Sequence, residues 1–469
     1  MPIIDTDEDI LIDALVEKAR KAQSKFEAMA DQTTLDRASE AIAWALMEPA
    51  RNEALSAEAV ASTGLGNVAD KIRKNHRKTL GLLRDLKDVQ TFGHIADEED
   101  KGLSTYYRPK GVVAAIVPST NPLATPVNNA INAVKTGNAI ILAPSPKGAP
   151  ILEKLIGYIH HEFSKLGIEK DLVQMVPNPP SKAKTKRLMS LADILVVTGS
   201  QNNVRSAYAS GTPAIGVGMG NVVTIIDETA ALDEAAVKIA ASKTFDNATS
   251  CSSENAIITM ADRYDETVEA LQNAGGYLLT LDEVAHLEDV YFGGGAMHRG
   301  IMAQDMDKVL SVLGFSHIPI DTKFLIAPTD KAAKPDKISG EKMALFLALY
   351  SASDFESAVD LAISIQDGQG AGHSIGLHSQ LDSRAHKMAQ KVPTCRVIVN
   401  QAHCFATGGS FDNGLPFSLS MGCGSWGGNS IDENFNWQHL VNKTVIARPI
   451  TPQEPTIDEI FSAYFEAVS

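Results

Sequence analysis

The sequence predicts an α/β protein built on two consecutive parallel sheets. Short, continuous runs rich in Val and Ile alternate with helical stretches, and the alternation starts again after a helix predicted at 231–245. Because these runs do not alternate apolar with polar residues, they are typical of strands covered on both faces, as in parallel sheets. At 469 residues, the chain is long enough for two or three domains.

The elements of the first unit follow in order along the chain. Residues 6–95 are predicted to be helical, because Thr6 and Asp9 fit a capping box and apolar residues then recur at helical spacing. The apolar runs that predict strands are 112–117, 139–142, 172–176, 194–197 and 222–226. The helices predicted between them lie near 121–135, 147–166, 181–191 and 201–209.

The second unit repeats the pattern. The predicted strands are 255–260, 344–350, 374–377 and 396–399, and the predicted helices lie near 262–274, 354–365 and 382–391. The sequence thus predicts three parts, at 1–227, 228–420 and 421–469. In the last part a Gly-rich segment precedes a polar tail, which we expect to form an arm outside the core.

The composition narrows the classes of function. A hydrophobic fraction of 44% is ordinary for a folded globular protein. A net charge of −15 argues against nucleic acid or an anionic membrane as the main partner. No apolar stretch approaches the roughly 18 residues of a membrane span, and the start lacks the basic and apolar regions of a secretory signal. Two interpretations of the amphipathic segment 7–20 stay open: a targeting peptide, and a helix that packs on its own domain.

Several cysteine and glycine patterns predict little. Four cysteines in so long a chain do not suggest a disulfide framework, so we expect a cytoplasmic protein. The spacing of Cys395, His403, Cys404 and Cys423 matches no compact zinc pattern, and no metal site is predicted. The stretch Gly422-Cys-Gly-Ser-Trp-Gly427 has the glycine spacing of a dinucleotide site. Only about 40 residues follow it, too few for the βαβ unit the motif requires, so we interpret it as a glycine-rich loop.

Cys251 is the principal candidate for chemistry. It lies in Asp246-Asn-Ala-Thr-Ser-Cys251-Ser-Ser-Glu254, a run of small polar residues between an apolar helix and an apolar strand. A buried structural cysteine normally has apolar neighbours, whereas a thiol in a polar turn can ionise and meet a substrate. The local sequence leaves both a nucleophile and an idle cysteine open.

Three further stretches carry candidate groups. Pro118-Ser-Thr-Asn121-Pro122 follows the first apolar strand, where ligands gather in α/β sheets, and the amide of Asn121 is a suitable oxyanion donor. Thr198-Gly-Ser200 follows another strand and opens a helix whose N-terminal amides can hold a pyrophosphate. Glu341 precedes a strand of the second unit. Each has a structural alternative. Asn121 would lie in an ordinary turn, Ser200 would be a helix cap, and Glu341 would be a solvated charge.

In this order, these segments resemble the aldehyde dehydrogenase superfamily across nearly the whole chain. The resemblance implies a Rossmann-like cofactor domain behind the N-terminal helices at 1–227, an α/β catalytic domain at 228–420 and an oligomerisation arm at 421–469. It implies that Cys251 is the nucleophile and that Asn121, with the Cys251 backbone N–H, stabilises the oxyanion. It also implies a set of cofactor-binding residues: Pro118, Ser119, Thr120, Ser145, Lys147, Thr198, Gly199, Ser200, Gly218 and Glu341.

The sequence departs from the superfamily at one informative place. Aldehyde dehydrogenases that hydrolyse their thioester carry a general-base glutamate in a Glu-Leu-Gly-Gly segment. The matching stretch here is Gly216-Val217-Gly-Met-Gly220-Asn221, with Val217 at the glutamate's place. Without that base water is poorly activated, whereas a thiolate is intrinsically the better nucleophile. The departure resembles the CoA-acylating branch, in which the thiol of CoA resolves the thioester.

Within that branch, further strings resemble those of enzymes that act on sulfoacetaldehyde. They are Thr63-Gly-Leu-Gly-Asn67, Ser200-Gln-Asn-Asn203, Asn400-Gln-Ala-His403, Asn413-Gly-Leu-Pro416 and Met421-Gly-Cys-Gly-Ser-Trp-Gly-Gly-Asn429. We therefore expect a small anionic aldehyde and CoA as substrates, with succinate semialdehyde as the alternative. The sequence does not choose between Arg205, His403 and the Asn128–Asn129 pair as anion contacts. Two other functions stay open. The chain could be a catalytically inactive binding protein on this fold, or a reductase of acyl phosphates.

The resemblance also bears on the cofactor and on assembly. Many NAD-preferring relatives carry Lys-Pro-Ala-Glu where this chain has Ala143-Pro-Ser-Pro146, followed by Lys147. Losing the carboxylate removes the repulsion of a 2′-phosphate, and Lys147 can attract one unless it faces solvent. We therefore expect NADP to be accepted in preference to NAD. The resemblance further implies a homodimer or a homotetramer.

Overall fold

The computed structural model describes residues 6–330 and 337–468. The α-helices in these ranges are α1 (Asp7–Met29), α2 (Gln32–Met47), α3 (Pro49–Thr63), α4 (Val68–Leu86), α5 (Ala124–Lys135), α6 (Ala149–Leu166), α7 (Lys182–Leu191), α8 (Gln201–Tyr208), α9 (Leu232–Thr244), α10 (Tyr264–Asn273), α11 (Leu281–Phe292), α12 (Met306–Leu313), α13 (Phe355–Gly368), α14 (Asp382–Lys391), α15 (His403–Ala406) and α16 (Ile457–Val468). The strands are β1 (Gly93–Glu98), β2 (Leu103–Pro109), β3 (Val112–Ile116), β4 (Ala139–Ala143), β5 (Val173–Met175), β6 (Ile194–Val197), β7 (Ala214–Gly216), β8 (Val222–Ile226), β9 (Glu254–Met260), β10 (Gly276–Leu278), β11 (Phe324–Pro328), β12 (Phe346–Ala352), β13 (Ile375–His378), β14 (Val397–Val399) and β15 (Val441–Ala447). None of the described helices is long and apolar enough to cross a membrane.

Four helices precede the first sheet. The capping box at the start of α1 is present, with Thr6 and Asp9 each accepting from the other's backbone N–H. Helix α1 buries Ile12, Val16 and Phe26 in the core around the five-stranded sheet, as expected of a helix that packs on its own domain. The prediction of helix up to residue 95 is wrong beyond α4, because β1 begins at Gly93 and pairs antiparallel with β2.

The first large sheet has five parallel strands in the order β5-β4-β3-β6-β7. All residues of β3 and β4 are buried, which explains why their sequences are continuous apolar runs. The chain runs outward from β3 to β5 on one side and returns to the other side of β3 with β6. This reversal creates a crevice at the carboxyl ends of β3 and β6, the position at which open α/β sheets bind ligands.

The second large sheet has seven parallel strands in the order β10-β11-β12-β9-β8-β13-β14. The predicted parallel α/β architecture is therefore confirmed for both sheets. The strand at 222–226 precedes the predicted boundary, yet it pairs with β9 and β13 as β8 in this second sheet. The sequence prediction also missed β11, β10 and the helices α11 and α12.

A small antiparallel sheet, β1-β2-β15, joins the chain's last strand to the segment before the first large sheet. Beyond Val441 the residues of β15 are exposed, and so are all described residues of α16. The description of the tail as polar is wrong for α16, which carries exposed apolar residues at helical spacing, Ile457, Ile460, Phe461, Tyr464 and Phe465.

The turn that leads to Cys251 has an unusual backbone. Asp246, Asn247 and Ala248 have φ values of 49°, 52° and 59°, three successive non-glycine residues in the left-handed region. Such a conformation is costly for residues with a Cβ and persists only when the surroundings fix it. Gly66 supplies one such contact, because a Cβ there would lie 1.9 Å from Asp246 Oδ1. The Thr63–Asn67 segment is thus packed against this turn.

We expect Gly66→Ala to destabilise the protein more than Gly64→Ala. Both glycines have positive φ, +74° and +70°, so both variants incur a backbone cost of about 1–2 kcal/mol. A Cβ on Gly64 would have no atom within 4 Å, whereas one on Gly66 would displace the buried Asp246 carboxylate. Thermal unfolding midpoints at one fixed scan rate measure the difference. Equal midpoints for the two variants would contradict the contact's importance.

Candidate active site

Cys251 lies in a turn between the left-handed segment and β9, in which Ser253 N–H donates to the Ser250 carbonyl at 3.0 Å. The residue is half-buried. A Cβ on Gly220 would lie 2.0 Å from the Cys251 carbonyl oxygen, so the segment after β7 is packed directly on the cysteine. Val217, in the same segment, is buried. The structure therefore brings the Val217–Gly220 stretch and Cys251 together, as the resemblance implies.

The surroundings of the Cys251 thiol disfavour its ionised form. Burial, and to a smaller extent the neighbouring Glu341 and Cys423, raise the pKa of Cys251 to about 12. The raised pKa disfavours the thiolate, which the polar local sequence alone does not reveal. The local residues are polar, but neighbours distant in sequence close over them.

Asn121 follows the carboxyl end of β3 and is held by a lysine. Its Oδ1 accepts a hydrogen bond of 3.0 Å from Lys74 Nζ. Because an ammonium can only donate, the contact fixes which end of the amide faces α4. It leaves the two Nδ2–H donors for another acceptor, the arrangement that an oxyanion donor requires.

Lys74 belongs to a buried network centred on Asp246. Asp246 Oδ2 accepts from Lys74 Nζ at 2.5 Å, from Lys71 Nζ at 3.1 Å and from Thr249 Oγ1 at 2.7 Å. Burial would raise the pKa of Asp246, but the two ammonium groups hold it below its ordinary value. The carboxylate is therefore ionised and connects α4 to the turn that carries Cys251.

A small cavity of about 30 Å³ lies between α4 and this turn. It is lined by Lys74, Arg77, Lys78, Asn121, Phe245, Ser250, Cys404, Phe405 and Leu419. Three of these residues are cationic and none is a carboxylate. The sequence analysis missed the basic residues. Lys71, Lys74 and Lys78 are spaced as one helical face, a signal ordinarily interpreted as a solvated surface.

The predicted cofactor residues lie at the carboxyl ends of neighbouring strands. Pro118, Ser119 and Thr120 follow β3, Ser145 and Lys147 follow β4, Thr198, Gly199 and Ser200 follow β6, and Gly218 follows β7. The four strands are adjacent in the five-stranded sheet, so these residues share one edge and flank its crevice. Ser200 is also the N-cap of α8, and its hydroxyl accepts from Asn203 N–H.

Glu341 lies near Cys251 rather than on that edge. Its backbone N–H donates to Gln369 Oε1 at 3.1 Å, and its side chain is buried. Burial raises the pKa of Glu341 to about 7, although Lys243 and Lys342 act in the opposite direction. The alternative of a solvated charge is therefore wrong.

None of the anion contacts left open by the sequence lines the cavity. Arg205 is exposed on α8 and donates to Asn202 on its own helix. His403 is buried, and burial lowers its pKa to about 3, so its ring is neutral. Asn128 and Asn129 are buried on α5. The cations that line the cavity come from α4 instead.

The Gly-rich segment packs against the same region as a loop. A Cβ on Gly218 would lie 2.7 Å from Cys423 Sγ, and Thr198 Oγ1 shares a hydrogen bond with Ser420 Oγ. Around Ser425–Gly427 the backbone forms a short 3₁₀ turn. The segment thus packs against the residues that follow β6 and β7.

Comparison with known proteins extends these observations. Residues 5–290 match the family model described as the aldehyde dehydrogenase family. The chain is 51% identical to an acylating sulfoacetaldehyde dehydrogenase of Cupriavidus necator, over 97% of this chain and 92% of that protein. A solved acetylating aldehyde dehydrogenase from Geobacillus thermoglucosidasius gives a TM-score of 0.91 at 32% identity, over 97% of this chain and 100% of the other. A Rhodopseudomonas palustris propionaldehyde dehydrogenase, solved with bound CoA and an acylated cysteine, gives 0.84 at 26% identity, over 93% and 97%.

We expect Lys74→Met to lower kcat for aldehyde oxidation about 10-fold or more, because the Asn121 amide loses the bond that orients it. Asn121→Ala should lower kcat on the order of 100-fold, the usual loss for one oxyanion donor. If Lys74 acts through Asn121, the double variant will be no slower than Asn121→Ala.

Lys71→Met is the matched control for this prediction. Lys71 shares the Asp246 partner but donates to the Thr120 carbonyl instead of Asn121. Its effect on kcat should therefore multiply with that of Asn121→Ala. Steady-state kinetics on the single and double variants decide the matter. A Lys74→Met effect that also multiplies with Asn121→Ala would remove the positioning role.

Proposed function

This chain belongs to the acylating branch of the aldehyde dehydrogenase family, and we propose that it converts sulfoacetaldehyde and CoA into sulfoacetyl-CoA, reversibly. It is an oxidoreductase that acts on aldehydes. The observation that carries the acyl transfer to a thiol is the Gly216–Asn221 segment, which has no ionisable side chain and packs on Cys251. The similarity to the acylating sulfoacetaldehyde dehydrogenase supports the choice of aldehyde.

The first chemical step uses Cys251 and Asn121. Cys251 Sγ attacks the aldehyde carbonyl carbon and forms a thiohemiacetal, while the thiol proton passes to solvent. The negative charge that develops on the carbonyl oxygen is stabilised by Asn121 Nδ2 and by the backbone N–H of Cys251. The bond from Lys74 holds the Asn121 amide in the orientation that this role needs.

The crevice at the ends of β3 and β6 fits a nicotinamide cofactor. Strand-end residues after four adjacent strands surround it, and it lies where the strand order reverses. We assign cofactor contacts to Pro118–Thr120, Ser145, Lys147, Thr198–Ser200 and Gly218, and a ribose contact to Glu341. A bound nicotinamide supplies the hydride acceptor that turns the thiohemiacetal into a thioester.

The thioester on Cys251 then passes to CoA. A general base beside it would allow water to attack, but Val217 and its glycine neighbours offer none. The CoA thiolate needs less activation than water and displaces Cys251 Sγ, which leaves with the bonding electron pair. The free Cys251 is thereby restored for another turnover.

The proposal includes the organisation of the chain. Residues 1–227 would bind the cofactor, 228–420 would carry Cys251, and 421–469 would form an oligomerisation arm that supports a homodimer or homotetramer. The exposed residues of β15 and α16 support the arm. We further propose a cytoplasmic location, in which the four free thiols stay reduced.

We expect the reaction to stall without CoA. With sulfoacetaldehyde and cofactor alone, absorbance at the nicotinamide band should show a burst of about one turnover per active site, because the thioester accumulates. Adding CoA should restore steady turnover, and Cys251→Ala should show no burst. Steady acid production without CoA would contradict the acyl transfer. A larger kcat/KM for succinate semialdehyde than for sulfoacetaldehyde would contradict the choice of aldehyde.

We expect NADP to be preferred over NAD. Pro146 stands where related enzymes carry a carboxylate. Lys147 is exposed, but its Nζ donates to the Thr63 carbonyl at 3.2 Å, which holds the ammonium against the protein rather than out in solvent. Lys147→Ala should therefore lower kcat/KM for NADP and leave the value for NAD on the same preparation unchanged. Comparing kcat/KM for the two cofactors tests this, and a strong NAD preference of the unaltered enzyme would contradict it.

A further inference from the structure

We propose that the cavity beside Asn121 and Ser250 binds the anionic head group of the aldehyde, a sulfonate, through Arg77 and Lys78. The proposal rests on the proposed function, because it presumes that the aldehyde is anionic. It names the residues of α4 that distinguish this aldehyde from neutral ones.

The charges around the cavity are unbalanced. Four cations lie on one side of α4, and the buried Asp246 pairs with two of them, Lys71 and Lys74. In the described residues, Arg77 and Lys78 form no ion pair with a carboxylate, although Asp412 acts on Arg77 at longer range. Burying a cation without a counter-ion costs free energy, which a bound anion would recover.

Arg77 and Lys78 each have an N–H donor that is not used by an acceptor among the described residues. Three of the five Arg77 N–H groups point to the Phe405 carbonyl and to Ser410 Oγ. Lys78 Nζ donates to the carbonyls of Gly408 and Ser418, at 2.5 and 3.3 Å, and has a third hydrogen. The remaining donors can bind the oxygens of a sulfonate, which has three acceptors and stays ionised at neutral pH.

The cavity lies beside the oxyanion donor Asn121 and the turn that carries Cys251. Asn121 and Ser250, the residue before Cys251, line the same cavity as the two cations. In sulfoacetaldehyde the sulfur is bonded to the carbon beside the carbonyl, so the anion must lie close to the reacting atoms. The cavity has room for about two water molecules, which suits a compact head group. Phe245 and Phe405 form part of its apolar wall.

The experiment compares kcat/KM for sulfoacetaldehyde with kcat/KM for propionaldehyde, its neutral counterpart, on each preparation. The ratio cancels any general loss of active enzyme. We expect Arg77→Gln and Lys78→Met each to lower the ratio about 10- to 100-fold, the loss expected for one charge-assisted hydrogen bond. Arg84→Gln is the matched control. Arg84 lies on α4 and stacks on Phe417, on which Arg77 also stacks. It donates to the Ser410 carbonyl, whereas Arg77 donates to Ser410 Oγ, and it does not line the cavity.

The outcomes separate the two proposals. An unaltered enzyme that prefers propionaldehyde would overturn the proposed function. A strong preference for sulfoacetaldehyde that survives in Arg77→Gln and Lys78→Met would overturn the head-group site alone. The head-group site would also be overturned if Arg84→Gln lowered the ratio as much as Arg77→Gln and Lys78→Met do.

If a variant fails to fold, a measurement on the unaltered enzyme still tests the role of Lys78. Burial lowers the pKa of Lys78 to about 7, and the nearby Arg77 and Lys74 lower it while Cys404 and Cys251 act in the opposite direction. Lys78 is therefore a cation below about pH 7 and loses its charge above it. The sulfoacetaldehyde-to-propionaldehyde ratio should fall between about pH 6 and about pH 9. A constant ratio over that range would remove Lys78 from the site.

Discussion

The buried carboxylate of Asp246 is the constraint on which the site depends. It receives the ammonium groups of Lys71 and Lys74 from α4 and the backbone N–H of Asn67 from the segment before α4. Asp246 itself stands in the left-handed turn that leads to Cys251. Removing one partner of such a buried pair leaves an uncompensated charge, which is far more costly than losing a surface contact. The pairing therefore fixes α4 relative to the nucleophile.

The residues on one face of α4 have two roles. Lys74 is saturated by Asp246, Thr249 and Asn121, so it positions groups and has no donor left for a ligand. One turn further along, Arg77 and Lys78 donate to neutral acceptors rather than to a carboxylate, and both retain free donors. The same helix thus orients the oxyanion donor with its paired cation and presents unpaired cations to the cavity beside it.

Sequence reasoning predicted local structure better than distant pairing. The strands at 194–197 and 222–226 agree with β6 and β8 residue for residue, because continuous apolar runs identify buried strands. Cys251, Asn121 and Val217 were predicted as site residues from the order of the motifs. The basic face of α4 was not, because Lys71 and Asp246 are 175 residues apart and lysines are ordinarily exposed. The high pKa of Cys251 was missed for the same reason, since its neighbours Glu341 and Cys423 are distant in sequence.

The local charge of the site has to overcome that of the protein. A chain with a net charge of −15 repels both an anionic aldehyde and CoA at long range. Solvent ions screen that repulsion beyond about 8–10 Å, whereas charges inside a partly buried cleft are screened much less. Four cations around one buried carboxylate reverse the sign locally, on the wall next to Asn121. Glu341 disfavours the Cys251 thiolate, because a carboxylate near the thiol raises its pKa. The positive charge that an anionic substrate meets next to Asn121 therefore comes from α4.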